Sequence, residues 1–240
     1  MIFPTDRDPM GMAIRDYFRH GHADRLRIFS SMFDEDEMPV SHLFRTPAEM
    51  NSLERTALAL SSGKVLDVGA GSGCHALPLQ TAGASVTAID VSPLSVEIMR
   101  ERGVRDVRLA DFFTDDFGTG YDTILMLMNG IGICGALIEL PSFFRRLDLL
   151  LAPEGCALVD SCDLAYVYED DEGNTDFSDV EDYYGEVDYQ MQYGAVKGLV
   201  FNWLYVDFDT LSSAASDCGF CAELLRRGDA FDFLVRLSRA

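Results

Sequence analysis

The stretch that decides the fold is Lys64-Val-Leu-Asp-Val-Gly-Ala-Gly-Ser-Gly73. Its first five residues predict a short buried strand, and the glycines after them predict a tight turn into a helix. Glycine has no Cβ, so a ligand can closely approach the backbone N–H groups of such a turn, at the positive end of the helix. The stretch therefore predicts a strand, a glycine turn, a helix and a ligand site at the turn.

Strands and helices continue to alternate after this stretch. A second strand over residues 86–89 ends at Asp90, and Ser92 followed by Pro93 predicts the start of a helix. Later segments predict strands near residues 104–110, 121–128 and 156–161, a helix over 140–151, a helix over 210–218 and a hairpin of residues 221–225 and 231–237. The sequence therefore predicts an α/β fold with a doubly wound, mostly parallel seven-stranded sheet and a C-terminal antiparallel hairpin.

Two further segments lie outside this alternation. Residues 1–62 predict an N-terminal helical cap, with one helix around residues 10–33 and another that starts at the capping box Thr46-Pro47-Ala48-Glu49. Residues 165–209 predict an inserted antiparallel β ribbon, because apolar and polar residues alternate over 186–193 and residues 199–208 can pair with them. We expect one domain over residues 1–240, made of the cap (1–62), the core (63–164), a ribbon lid (165–209) and a completing helix and hairpin (210–240).

The spacing of the glycines bears on the class of ligand. Dinucleotide sites favour G-x-G-x-x-G, but here the third glycine comes one residue early, at Gly73, and Cys74 stands in its place. Asp67, two residues before the first glycine, would repel a pyrophosphate and attract an ammonium or sulfonium cation. A cationic ligand is therefore favoured, and a nicotinamide-dependent oxidoreductase stays open as the alternative.

With these residues, segment 63–163 resembles the class I S-adenosylmethionine (SAM)-dependent methyltransferases. Residues 65–73 are similar to the first motif of that family. The acid Asp90, the pair Asp111-Phe112, residues 121–129 and residues 150–155 follow in the family's order. The resemblance implies a Rossmann-like fold, SAM as the cofactor and methyl transfer by in-line displacement.

The resemblance also implies which residues bind the cofactor. They are Asp67, Gly69, Ala70, Gly71, Gly73, Asp90, Val91, Asp111, Phe112 and Asn129. The glycine turn would pass beside the methionine part of SAM, with Asp67 near its amino group and Asn129 near the reacting centre. Asp90 would accept hydrogen bonds from the ribose hydroxyls, and Asp111 would accept one from the adenine amine. Val91 and Phe112 would offer apolar surface to the adenine.

The sequence assigns no general base. Asn129, His75 and Tyr184 are candidates for a catalytic role, because a side chain after a strand end, after the glycine turn or on a covering ribbon could reach the acceptor. His75 has a second interpretation, as a cap of the helix that follows it. No metal site is predicted: the histidines at positions 20 and 22, the C-x-x-C at 218–221 and the acidic run at 169–182 all lack a complete ligand spacing.

The amino-acid composition limits the classes of molecule that we expect this protein to bind. The 240 residues carry 19 Lys and Arg against 40 Asp and Glu, a net charge of −21, which repels nucleic acid and anionic membrane surfaces. The cap and the ribbon, which flank a complete SAM core, favour a lid over a small-molecule acceptor. The scattered cysteines and the polar N-terminal residues favour a reduced, cytoplasmic protein, and the apolar stretch at 124–140 is too interrupted to span a membrane. A non-catalytic SAM-binding protein stays open as a further alternative, as does the oligomeric state.

Overall fold

A seven-stranded sheet forms the centre of the molecule in a computed structural model that describes residues 1–170, 172–178, 180 and 182–240. From one edge to the other, its strands are β10 (Phe220–Arg227), β11 (Asp232–Arg239), β7 (Leu151–Cys162), β6 (Tyr121–Met126), β3 (Lys64–Val68), β4 (Ser85–Asp90) and β5 (Asp106–Leu109). The five strands from β7 to β5 are parallel, whereas β11 and β10 pair antiparallel at one edge. The predicted fold class and C-terminal hairpin are confirmed.

Helices cover both faces of this sheet. They are α2 (Ser52–Leu60), α3 (Ala76–Thr81), α4 (Pro93–Glu101), α5 (Leu140–Leu150) and α6 (Phe208–Asp217), whereas α1 (Pro9–His20) packs against α4. Apolar residues of α5 and α6 belong to one buried cluster, and those of α2, α3 and α4 belong to another. This doubly wound arrangement brings the carboxyl ends of the parallel strands to a single edge, where open α/β sheets bind ligands.

A smaller four-stranded sheet corrects two expectations. The predicted helix around residues 10–33 ends at His20, because Gly21 adopts a left-handed φ of 74° and caps it. Strands β1 (Leu26–Phe29) and β2 (Asp36–Met38) follow, and β1 pairs antiparallel with β8 (Glu186–Tyr193). The partner of β8 in the ribbon, β9 (Val196–Leu204), starts three residues earlier than predicted. The ribbon is therefore widened by two strands of the N-terminal segment.

The second predicted helix of the cap begins later than its sequence signal indicated. The backbone N–H and hydroxyl of Thr46 donate to the Glu49 carboxylate at 2.7 and 2.8 Å, but these bonds close only a turn. The capping box that starts α2 consists of Asn51 and Glu54. The chain thus contains two capping-box motifs close together, and the helix begins at the second, which buries Leu53 against the sheet.

Candidate functional site

The glycine turn lies between β3 and α3 with its three glycines in conformations of positive φ: 67° at Gly69, 56° at Gly71 and 83° at Gly73. A Cβ on Gly69 would meet nothing within 4 Å, and one on Gly71 would meet only a backbone oxygen at 4.0 Å. A Cβ on Gly73 would instead come within 3.0 Å of Val104. The first two glycines therefore face open space, whereas the third permits close packing inside the protein.

Asp90, at the carboxyl end of β4, holds this turn in place. Its carboxylate accepts the backbone N–H of Gly71 and that of Ser92, both at 2.8 Å. Burial raises the pKa of Asp90 to about 6, although these backbone donors act in the opposite direction. The first acid beyond the glycine turn is thus tied directly to the turn, as a shared ligand site requires.

The other residues predicted to surround the adenine lie farther along the same edge. The backbone N–H of Phe3 donates to the carbonyl of Val91 at 2.9 Å. The Asp111 carboxylate accepts the N–H of Phe113 at 2.8 Å and pairs with the Met1 amino group. Phe112 is buried and packs in the core cluster of α5. The N-terminal residues therefore contact two of the positions that the sequence assigned to the adenine.

Asp67 is the most unusual group at this edge. It lies within β3 with only 2% of its surface exposed, and its Oδ2 has no hydrogen-bond partner among the described residues. Burial raises the pKa of Asp67 to about 6, opposed by the charge of His75 and reinforced by that of Asp90. A buried carboxylate oxygen without a partner is costly, and a bound cation with an N–H group would satisfy it.

Asn129 lies beyond β6 in a strained loop. Met128 and Asn129 both have left-handed backbone conformations, with φ of 67° and 56°. The Asn129 Nδ2 donates to the Leu204 carbonyl at 3.1 Å, and its Oδ1 is buried without a partner among the described residues. Backbone strain of this kind persists where the surroundings enforce it, often at functional sites.

Asp160 enforces that loop, and sequence reasoning missed it. It lies near the carboxyl end of β7 and accepts the N–H groups of Met128 and Gly130 at 3.1 and 3.0 Å. Burial raises its pKa to about 6, although those same donors act in the opposite direction. The rule that singled out Asp90, an acid at a strand's carboxyl end, applies equally to Asp160 and would have found it.

A cavity of about 230 Å³ opens beside Asn129 and Asp160. It is enclosed by the ends of β6, β7 and β11 and by residues before and within α2. Its lining consists of His42, Arg45, Asn51, Glu54, Met128, Asn129, Asp160, Ser161, Cys162 and Asp232. Three of these ten residues are carboxylates. Glu54 is paired with the cation Arg45, which leaves Asp160 and Asp232 available to a ligand with a positively charged group.

A buried charged cluster forms one wall of this cavity. Arg45 donates from Nε to Glu54 at 3.1 Å and makes a second contact from Nη2, while His75 Nε2 lies 2.7 Å from Glu54 Oε1. Burial opposes these charges, but hydrogen bonds from His75 and Arg45 outweigh it and lower the pKa of Glu54 to about 2. Contacts with Cys74 and Glu54 likewise outweigh burial at His75 and raise its pKa to about 10.

The three predicted catalytic candidates therefore lie in different surroundings. Asn129 lines the cavity. His75 occupies the N-cap position of α3, but its side chain makes no capping hydrogen bond, and its Nε2 contacts Glu54. The Tyr184 hydroxyl donates to Asp163 at 2.8 Å and lies 3.3 Å from Asp207 Oδ2. Burial, together with hydrogen bonds to Tyr183 and Asp163, raises its pKa. Neither His75 nor Tyr184 is among the residues that line the cavity.

The remaining features that the sequence singled out concern metal ligands, cysteines and membrane spans. The described residues contain no cluster of three or more potential metal ligands. All six cysteines lie among them and are free thiols. Within the acidic run at 169–182, positions 171, 179 and 181 lie outside the described residues. No helix in the described part of the chain has the length and apolarity needed to cross a membrane.

Comparison with known proteins identifies the family. The chain is 54% identical to a protein whose crystal structure is described as a SAM-dependent methyltransferase from Bacteroides fragilis in complex with S-adenosyl-L-homocysteine (SAH). That similarity covers 100% of this chain and 98% of the other, with a TM-score of 0.95. The chain belongs to the SAM-dependent methyltransferases. The alternative of a nicotinamide-dependent oxidoreductase is therefore set aside.

Other comparisons agree with this family. A model of the methyltransferase domain matches residues 65–155 of this methyltransferase. The cypemycin N-terminal methyltransferase of a Streptomyces species is 31% identical over 109 residues, which are 44% of each chain. The sugar N-methyltransferase KedS8 from Streptoalloteichus sp ATCC 53650 shares the fold at 17% identity, with a TM-score of 0.58, over 88% of this chain and 96% of its own. SAM is therefore the cofactor, and the acceptor is the open question.

Proposed function

We propose that this methyltransferase transfers the methyl group of SAM to the nitrogen of a small-molecule amine. The observation that carries the proposal is the cavity beyond β6 and β7, whose lining includes the carboxylates of Asp160 and Asp232. Carboxylates attract a protonated amine and accept its N–H groups, whereas they repel an acidic acceptor. One relative of this chain is named a cypemycin N-terminal methyltransferase, and a nitrogen acceptor is consistent with that name.

The residues at the carboxyl edge fit SAM. The unpartnered Oδ2 of Asp67 suits the amino group of its methionine part, and the open space beside Gly69 and Gly71 leaves room for close backbone approach. Asp90 suits the ribose hydroxyls, because each of its oxygens keeps a free lone pair after accepting one backbone N–H. Val91, Asp111 and Phe112 would surround the adenine once the N-terminal residues moved from Val91 and Asp111.

When bound, SAM supplies a methyl group on a sulfonium, which is a good leaving group, so positioning contributes much of the catalysis. In our proposal Asn129 orients the amine through its unpartnered Oδ1. Asp160 accepts a proton from the bound ammonium group before methyl transfer, which frees the nitrogen lone pair that attacks the methyl group. A carboxylate with a pKa of about 6 is suited to accept a proton near neutral pH. The N–C bond forms as the C–S bond breaks, and the electron pair of the C–S bond stays on sulfur.

We further propose that the four-stranded sheet and α1 form a lid over this edge, within a single domain of residues 1–240. Contacts of β9 with the segment after Asn129 support this arrangement, because the Asn129 amide donates to Leu204. The free thiols support a reduced, cytoplasmic setting, and the net charge of −21 supports a protein that does not bind nucleic acid.

The proposal is tested by measuring SAH formation from SAM with pooled acceptors of one class each: primary amines, alcohols and phenols, and carboxylic acids. We expect turnover with amines and a marked fall in kcat for Asp160→Asn, with SAM affinity nearly unchanged. The exposed, remote Asp217→Asn serves as the matched control for the loss of one carboxylate. Turnover with hydroxyl or carboxyl acceptors and none with amines would contradict the proposal.

A further inference from the structure

Phe231 has a backbone conformation that aromatic residues rarely adopt. It lies in the loop between β10 and β11 with a φ of 59°, in the left-handed region. The same loop contains Gly228 and Asp229, residue types that tolerate this conformation far better. A bulky side chain is thus held in a strained position, and such strain raises the question of what the side chain does there.

The Phe231 side chain is also 60% exposed, so it is not held in place by burial in the core. It stacks on Tyr166, which belongs to the segment after β7 and is itself 41% exposed. The ring centroids are 4.6 Å apart and the planes differ by 13°. Two distant parts of the chain therefore present a pair of stacked rings with free apolar surface. We call Tyr166 and Phe231 the aromatic platform.

The aromatic platform lies next to the acidic cavity. Asp232, the residue after Phe231, lines the cavity and pairs in register with Cys162, another lining residue. The backbone N–H of Asp163 donates to the Phe231 carbonyl at 3.1 Å, which fixes the loop against the end of β7. Through Phe231 the platform is thus one residue away in sequence from the cavity lining, at the end of β7 and the start of β11.

We propose that the aromatic platform binds a planar ring of the acceptor, so that the substrate is a ring-bearing amine. This inference rests on the proposed function for the amine, but the ring is argued from the platform alone. A ring stacked on the outer face of Phe231 would bury apolar surface that the free protein leaves in water. The carboxylates of Asp160 and Asp232 would receive the ammonium group at the other end of the molecule.

The test uses four small probes at saturating SAH, with binding measured by calorimetry. Phenethylamine has a ring and a positive charge, n-hexylamine has the charge alone, 2-phenylethanol has the ring alone and n-hexanol has neither. We expect phenethylamine to bind roughly three- to tenfold more tightly than n-hexylamine. Phe231→Gly and Tyr166→Ala should abolish that preference without changing SAH affinity, and Tyr166→Phe should restore it.

The variants keep the test interpretable. Glycine accepts the φ of residue 231, so Phe231→Gly removes the ring without adding backbone strain. Leu149→Ala removes another exposed apolar side chain, on α5, and should leave the preference intact. Equal binding of the two amines to the unaltered protein, or no binding of any probe, would overturn the platform. A ring preference that is independent of charge would support the platform and overturn the amine.

Discussion

Replacing Asp67 by Asn should weaken SAM binding and reduce the number of protons released when SAM binds. In the free protein Asp67 is buried, has an oxygen without a partner among the described residues and has a pKa raised to about 6. The amino group of SAM would pair with the ionised carboxylate only. A charge-assisted hydrogen bond contributes about 1.5–3 kcal/mol, so Asp67→Asn should raise the Kd for SAM at pH 7 roughly ten- to hundredfold.

The pH dependence follows from the same pKa. With a pKa of about 6, binding to the ionised form alone weakens by a factor of about 11 at pH 5 but only about 1.1 at pH 7. The Kd for SAM should therefore rise about tenfold between pH 7 and pH 5. The amino and carboxyl groups of SAM titrate outside this window, and His75, with a pKa of about 10, stays protonated throughout it. Asp90, with a pKa of about 6, also titrates within the window, so the contribution of Asp67 is the part of the pH dependence that Asp67→Asn removes.

Raising the pH has opposite effects on the two properties: ionisation of Asp67 favours SAM binding but lowers the free energy of unfolding. Because the folded-state pKa of Asp67 exceeds its ordinary value of 3.8, its contribution to the free energy of unfolding is greatest below about pH 3.8 and is lost as pH rises through about 6. SAM binding relieves that loss by pairing the charge. Ligand stabilisation in a thermal unfolding assay should accordingly be larger at pH 7 than at pH 5.

Calorimetric titration with SAM at pH 6, in buffers of different ionisation enthalpy, measures the protons released on binding. We expect roughly half a proton from Asp67, which is half protonated there, and less release from Asp67→Asn, where Asp90 still titrates. The reasoning is refuted if Asp67→Asn binds SAM at pH 7 as tightly as the unaltered protein. A Kd that stays constant between pH 5 and pH 7 would refute it independently.

Three further outcomes follow from the geometry. Glu54→Gln should lower the free energy of unfolding, measured in urea, by about 3–5 kcal/mol, because it leaves Arg45 and His75 buried without their carboxylate. The matched control is Glu49→Gln at an exposed position, which should change the free energy of unfolding little. Gly69→Ala and Gly21→Ala both place a Cβ on a residue with a left-handed backbone, and in neither case does the Cβ meet an atom within 4 Å. Both variants should therefore lower the melting temperature by a similar amount. Only Gly69→Ala should abolish SAM binding, as measured by calorimetry. If Asp160 accepts the proton, the acidic limb of the pH profile of kcat should lie near pH 6 and should disappear in Asp160→Asn.

The core of the fold could be predicted because its signals are local. A strand, a glycine turn and a helix occupy adjacent residues from Lys64 to Thr81, and a right-handed crossover leaves them only one way to pack on a parallel sheet. The acids at strand ends could be recognised for the same reason. Asp90 follows its strand within the sequence, so its position at the ligand edge required no knowledge of distant residues.

The N-terminal segment could not be predicted because its partners are distant in sequence. Leu26 pairs with Tyr193, 167 residues away. Residues 26–29 form a strand because they pair with the edge of β8, although their apolar pattern also suits a helix. The buried cluster of Arg45, Glu54 and His75 has the same origin. Each of these residues is ordinary in its local sequence, and only the packing of α2 against the glycine turn brings their charges together.

Electrostatics connects the binding of SAM with the release of the product. Asp67, Asp90 and Asp160 come from the carboxyl ends of three parallel strands, and burial raises the pKa of each to about 6. The two buried cations beside them, Arg45 and His75, are both bound to Glu54. The edge therefore holds more negative than positive charge. SAM brings a positive sulfonium to it, whereas the thioether left after methyl transfer is neutral, so the electrostatic attraction that favours the cofactor is weaker for the product.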